Sequence, residues 1–173
     1  MIELTPAMLS SCAATVAPQT IMAIVRVESG GRPLLLGVNR PGQAPLTVAP
    51  QTEHEAIDSA RKFVAAGYSV DLGLMQINSR NLERLGLTID RIFDPCVNLG
   101  AGARILTENF VNATKRYAHP ASALGAALSA YNTGSNTAGF TNGYVAKVTG
   151  QGNAYPTTTS SYTAETAVFS RQP

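Results

Sequence analysis

Across residues 18–31, Ile21, Ile24, Val25 and Glu28 recur at i, i+3, i+4 and i+7, the spacing of one helical face. Pro18 suits a first helical turn and Gly30-Gly31 a stop, so a helix is predicted whose last turn carries Glu28 among apolar residues. The same punctuation predicts four more helices: one opened by Thr5-Pro6, one over 52–67, one from Asp94-Pro95 to about Tyr117, and one from His119-Pro120 to about Gly134. Over 52–67, Thr52 followed three places on by Glu55 is a capping-box signature, and the charges of that segment read as a solvated face. Leu99, Ala103, Leu106 and Phe110 form one stripe, and Leu124, Leu128 and Tyr131 another; both predict helix packing in the core. Between 32 and 50 the pattern changes to two short apolar runs around Arg40-Pro-Gly-Gln43, which predicts a small β-hairpin or lobe. The expected fold is mainly α, an α+β arrangement in which a compact helical domain faces that lobe across a cleft beginning at Glu28. From Thr149 onward Gly, Thr, Ser, Gln and Pro dominate, so 1–148 is expected to be the folded domain and 149–173 a flexible tail.

Composition narrows the chemistry. A chain of 173 residues with 45% hydrophobic content supports one domain with a sizeable core. Charged residues are 14%, and 13 basic against 11 acidic side chains leave +2, a balance that does not suggest a nucleic-acid partner. No run of about 18 apolar residues predicts a membrane span. Residues 1–17 carry Glu3 and Pro6 without a basic start or a continuous apolar stretch, so no signal peptide is visible. Cys12 and Cys96, each on a predicted helix, are either a bridge from the N-terminal helix to the core or two buried thiols; an oxidising compartment favours the bridge. His54, His119 and the two cysteines match no zinc spacing, and Glu53-His54-Glu55 lacks the second histidine of a metalloprotease helix, so no metal is expected. Phosphate-binding and serine-hydrolase motifs are absent, and no cofactor is expected. Glu28 is the remaining candidate. Desolvation and the negative end of its helix both oppose ionisation, and a carboxylic acid held protonated near neutral pH suits the protonation of a glycosidic oxygen. The alternative is a buried Glu held by a structural partner.

Four segments in order carry a family resemblance: Glu28-Ser29; Gly73-Leu-Met-Gln-Ile77, continued as Asn-Ser-Arg-Asn; Ala130-Tyr-Asn-Thr-Gly134; and Tyr144 within Gly-Tyr-Val-Ala-Lys-Val. Together they resemble the soluble lytic transglycosylases of the lysozyme superfamily. The helix over 52–67 running into Gly67-Tyr-Ser-Val-Asp-Leu-Gly73, with Asp94-Pro-Cys-Val-Asn-Leu99, is similar to the branch that accompanies type IV secretion and conjugation systems.

The resemblance implies a lysozyme-like fold, peptidoglycan glycan strands as substrate, other secretion-system proteins as partners, and the periplasm of a Gram-negative bacterium as the place of action. It implies that Glu28 protonates the β-1,4 bond between N-acetylmuramic acid and N-acetylglucosamine, then takes the C6 hydroxyl proton as a 1,6-anhydro ring closes. A lysozyme-type hydrolase and a wall-binding scaffold without turnover are the alternatives. Hydrolases usually carry a second carboxylate; Asp71 is nearest by motif position, although it reads more readily as a turn cap. Ser29 is expected to cap the helix and orient Glu28. Gly73 is expected to admit sugar close to the backbone, with Met75 and Gln76 lining the groove and Leu74 supporting it, although Met75 alone reads as core. Tyr131, Asn132 and Tyr144 are expected to hydrogen-bond Glu28 or the substrate's acetamido group.

Overall fold

The computed structural model describes residues 3–152. Helix α1 (Pro6–Cys12) opens with Thr5 Oγ1 accepting from the Met8 N–H at 3.2 Å, and α2 (Pro18–Glu28) with proline in its first turn. Ser29 terminates α2, its N–H donating to Val25 O at 3.0 Å. The predicted hairpin follows as β1 (Leu36–Asn39) and β2 (Leu46–Val48). The capping box over Thr52 and Glu55 opens α3 (Glu53–Ala65), which buries only Ala56 and Ala60 and leaves its charges outward.

The sheet is larger than the predicted hairpin. Strands β3 (Ser69–Leu72) and β4 (Ile77–Asn78) extend it to four antiparallel strands in the order β2-β1-β3-β4. In β3 the apolar positions Val70 and Leu72 are buried while Ser69 and Asp71 take the other face, a period of two within four residues. A 3-10 turn at Ser79–Asn81 then leads into the short helices α4 (Leu82–Leu85) and α5 (Ile89–Ile92).

The long α6 (Pro95–Thr114) starts where Asp94 Oδ1 accepts from the Val97 N–H at 2.9 Å and stops short of the predicted Tyr117. Its predicted stripe is core: Leu99, Ala103 and Leu106 are buried and Phe110 packs against them. Helix α7 (Pro120–Thr133) buries Leu128, but most of its contact surface is small: Ala123, Gly125, Ala126 and Ala127. Ala123 and Ala126 pack with Ala113 of α6 and let the two helices approach closely, while Gly125 leaves room for the Phe140 ring on the following helix. The short α8 (Ala138–Thr141) follows, and α9 (Tyr144–Gly152) packs on α2, burying Tyr144, Val145 and Val148. Helix α9 therefore continues through Thr149 into the segment whose composition predicts a tail; the remainder of that segment lies outside the described residues.

The cysteine pair is bridged: Cys12 at the end of α1 and Cys96 in the first turn of α6 form a disulfide with Cα atoms 4.9 Å apart. Among the described residues, no helix is long and apolar enough to cross a membrane, and no cluster of acidic, histidine and cysteine side chains is placed to hold a metal.

Candidate active site

A polar cleft of about 480 Å³ lies between the sheet and α6–α7, lined by Glu28, Asn39, Asp71, Gln76, Asn78, Tyr131 and Asn132 among others. Glu28 enters it from the end of α2. Its helix buries Ile21, Ile24 and Val25 completely, and that anchoring turns Glu28 toward the space between helices and sheet. The packing of α9 on α2 supplies its partner: the Tyr144 hydroxyl donates to Glu28 Oε1 at 2.6 Å. Burial dominates the carboxyl's electrostatics and lifts its pKa from 4.5 to about 7; the tyrosine hydrogen bond pulls the other way, and the charge of Asp71 adds to the rise. Burial beside Glu28 in turn pushes the Tyr144 phenol far up, so it remains a donor throughout the working pH range.

Asp71 is not a turn cap. It lies within β3, and the register explains its surroundings: Asp71 pairs with Asn78 on β4 and with Gly37 on β1, two residues before Asn39, so all four positions share a face. Asn39 Nδ2 donates to Asp71 Oδ2 at 2.8 Å and Asn78 Nδ2 to Oδ1 at 2.7 Å. Burial raises the Asp71 pKa despite these two donors. The cleft therefore holds two carboxyl groups, one gripped by a phenol and one by two amides. Opposite titration shifts test this balance. Tyr144→Phe removes a donor that favours the charged form, so the Glu28 midpoint is expected to rise above about 7; Asp71→Asn removes a like charge, so it is expected to fall. Carboxyl ¹³C shifts followed against pH read both, and a midpoint unmoved by either change contradicts the geometry.

The segment 73–76 works through its backbone. Leu74 and Met75 are 0% exposed, so the Met75 side chain does not line the groove as expected and Leu74 supports it only from within the core; Met75 is seated against Gly102 of α6, where a Cβ would collide with its sulfur. Gly73 (φ +75°) likewise meets protein rather than sugar, since a Cβ there would overlap Asn98 Nδ2. Asn98, 1% exposed, holds the whole turn: Oδ1 accepts from the Met75 N–H at 2.8 Å, and Nδ2 donates to Leu72 O and Ile92 O at 2.9 Å each. The turn's outward carbonyls then fix the other motif residues. Ser29 Oγ donates to Leu74 O at 2.7 Å, tying the end of α2 to the turn, and Tyr131 OH donates to Met75 O at 2.8 Å. Ser29 thus positions the Glu28 backbone and makes no side-chain bond to the carboxyl.

Gln76 does reach the cleft. Its backbone is left-handed (φ +49°), a conformation that for a non-glycine residue is retained only where its surroundings enforce it. Here its own side chain does so, Nε2 donating to Gly73 O at 2.8 Å and to Leu35 O at 3.1 Å. Tyr131 and Asn132 line the cleft without bonding Glu28; Asn132 Oδ1 accepts from Asn142 Nδ2 at 2.9 Å, which leaves its amide group as a donor. Asn39, Asn78 and Asn98 escaped the sequence reading. The only signal was their position: Asn78 continues the Gln76-Ile77 motif and Asn98 lies in the segment opening α6.

The transglycosylase SLT domain family matches residues 8–152, a span containing every group just described. Among curated proteins, protein virB1 of Agrobacterium fabrum is 42% identical over 137 residues, 79% of this chain and 54% of that protein. The type IV secretion system protein virB1 of Brucella abortus is 42% identical over 130 residues, 75% of this chain and 53% of its own length. The chain spans about half the length of the curated relatives it matches. No solved structure matches. The family match over residues 8–152, together with relatives 42% identical over three quarters or more of the chain, places this chain in the transglycosylase SLT domain family.

Proposed function

We propose that the chain is a lytic transglycosylase that cuts the β-1,4 bond between N-acetylmuramic acid and N-acetylglucosamine in peptidoglycan. One observation carries the reading: a carboxyl poised to titrate near pH 7, hydrogen-bonded at 2.6 Å to Tyr144, opens onto a polar cleft. Protonated Glu28 gives its proton to the glycosidic oxygen as the C1–O bond breaks and positive charge develops at C1. The resulting carboxylate takes the proton of the muramoyl C6 hydroxyl as O6 bonds to C1. Protons balance, no water is consumed, and Glu28 returns to its acid form. Tyr144 favours the charged form of Glu28 midway, while burial favours the neutral form at either end. Tyr131 OH, held by Met75 O, and the Asn132 amide are available to the sugar's acetamido group.

Asp71 favours a second reading, a lysozyme-type hydrolase with two carboxylates in one cleft. Mass spectrometry of digested glycan strands separates them. Anhydro-muramoyl ends are expected; ends heavier by one water identify the hydrolase, and undigested strands identify a binding scaffold.

The relatives' names support placing this activity beside a type IV secretion system, opening the wall locally in the periplasm, and the Cys12–Cys96 bridge suits that oxidising compartment. The catalytic unit in this reading ends with α9, and the segment after Gly152 serves the assembly instead of the chemistry. A chain ending at Gly152 is expected to digest peptidoglycan at the rate of the 173-residue chain; loss of activity or folding shows that the remaining residues belong to the domain.

A further inference from the structure

Beyond the cleft, a second hollow of about 230 Å³ lies at the end of the sheet, between the β1–β2 turn and the 3-10 turn after β4. It adjoins the candidate active site, because Asn39 lines both. Its lining is cationic: Arg40 and Arg80 contribute to it with Ser69 and Gln43, and no acidic side chain does. Among the described residues, four ion pairs form elsewhere, and neither of these arginines takes part in one. Arg40 is held but underused. Its Nη2 donates to Ala44 O at 2.8 Å, which fixes the guanidinium against the turn, while Nε is buried with no acceptor. Arg80 is exposed, and only its backbone N–H is engaged, donating to Asn78 Oδ1 at 3.1 Å. Two guanidinium groups at one hollow, Arg40 anchored through Nη2 to a backbone carbonyl and Arg80 with no side-chain bond within the protein, fit a planar anion, and a carboxylate accepts such donors in pairs.

Resting on the reading that the cleft binds glycan strands, we propose that this hollow is a subsite for a carboxylate of the peptide stem attached to the bound strand. The contiguity through Asn39 favours that source over a separate acidic protein: a strand bound in the cleft carries peptide stems on its muramoyl residues, and the hollow with both arginines opens directly beside that cleft. The enzyme would then discriminate between dressed and bare strands by charge at the peptide, apart from the sugar contacts that govern cleavage.

Binding to the 173-residue chain carrying Glu28→Gln tests this without turnover. The probes are a short glycan fragment bearing its peptide stems, the same fragment with stems removed, and the same with stem carboxylates amidated. The stem-bearing fragment is expected to bind about tenfold tighter than either control, with the gap closing when Arg40→Gln and Arg80→Gln are added and the bare fragment binding both proteins equally. Circular dichroism checks the fold of each variant, and Arg80→Gln alone, which removes no bond within the protein, is expected to close part of the gap. Three results overturn the subsite: no gap between the fragments; a gap that survives both arginine changes; or an unrelated acidic peptide of equal charge binding as tightly as the stem-bearing fragment, which assigns the hollow to protein partners. Failure of the parent reading looks different, since the wild-type protein then cleaves neither fragment and the Glu28→Gln protein binds neither.

Discussion

Glu28→Gln is expected to slow glycan cleavage by at least about a thousandfold while leaving the protein folded, because an amide neither delivers a proton to the leaving oxygen nor recovers one from the C6 hydroxyl. The same substitution is expected to stabilise the protein, and the pH dependence gives the sign. Burial lifts the Glu28 pKa from 4.5 to about 7, so the native state holds a proton that the unfolded chain has released. The stabilising contribution of the neutral acid is complete below about pH 4.5 and is lost as pH rises through about 7. Above that range the wild-type fold carries a buried charge at a cost of the order of 3 kcal/mol, which glutamine avoids. Denaturant unfolding of both proteins at acid and mildly alkaline pH reads the difference: it should widen in favour of the variant as pH rises. A constant difference makes Glu28 an ordinary carboxylate and removes the basis for its role as acid. The cleavage rate proposed for the wild-type chain is expected to fall along the same alkaline limb.

This pairing of lost rate with gained stability follows from where Glu28 lies. Its position was legible because helix periodicity is local: Pro18, Gly30 and the apolar residues at 21, 24 and 25 set the face from within a dozen or so residues. Helix starts were legible for the same reason, with Pro6, Pro18, Pro95 and Pro120 all observed at first-turn positions. The other half of the site depends on long-range pairing. Asn39 and Asp71 are 32 positions apart in the chain and meet only because β1 and β3 pair in one register. Nothing local to either residue announces the contact, although the alternation Ser69, Val70, Asp71, Leu72 does mark a strand and places Asp71 on its polar face.

The turn 73–76 shows a different limit. A motif indicates that residues matter, not whether their side chains or their backbone act. The motif points to Gly73 as a place for sugar and to Met75 as groove lining; residues 73–75 are instead a buried turn whose carbonyls at 74 and 75 hold Ser29 and Tyr131. Asn98 makes this possible by satisfying three backbone groups with one side chain, a function invisible in a residue that looks like an ordinary first-turn asparagine of α6. Of the two causes that the helix position of Glu28 predicts, burial and the helix end, burial dominates its shift, and the charge of Asp71 adds to it.

Reduction of the Cys12–Cys96 bridge is expected to have the largest effect on stability. The two residues are separated by 84 positions, so the bridge closes a loop containing α2, the whole sheet and the turn that Asn98 holds. Chain-entropy arguments assign a loop of that size roughly 4 kcal/mol, an upper figure because native strain and residual structure in the reduced chain subtract from it. For a domain of this length that corresponds to a fall of roughly 10 °C in the unfolding midpoint. Packing at the junction is already tight, since a Cβ added at Gly100 of α6 would lie only 3.0 Å from Cys12 O, so α1 has little room to settle elsewhere if the link is cut. Neither cysteine lines the cleft, and the reduced protein is therefore expected to keep its cleavage rate at temperatures where it remains folded. Thermal unfolding with and without reductant, alongside the Cys12→Ser, Cys96→Ser double variant, measures the effect. An unchanged midpoint, or two thiols titrating in the folded oxidised protein, defeats it, whereas a large fall in activity with the fold intact shows that the bridge acts through the adjacent Asn98 turn on the catalytic geometry itself.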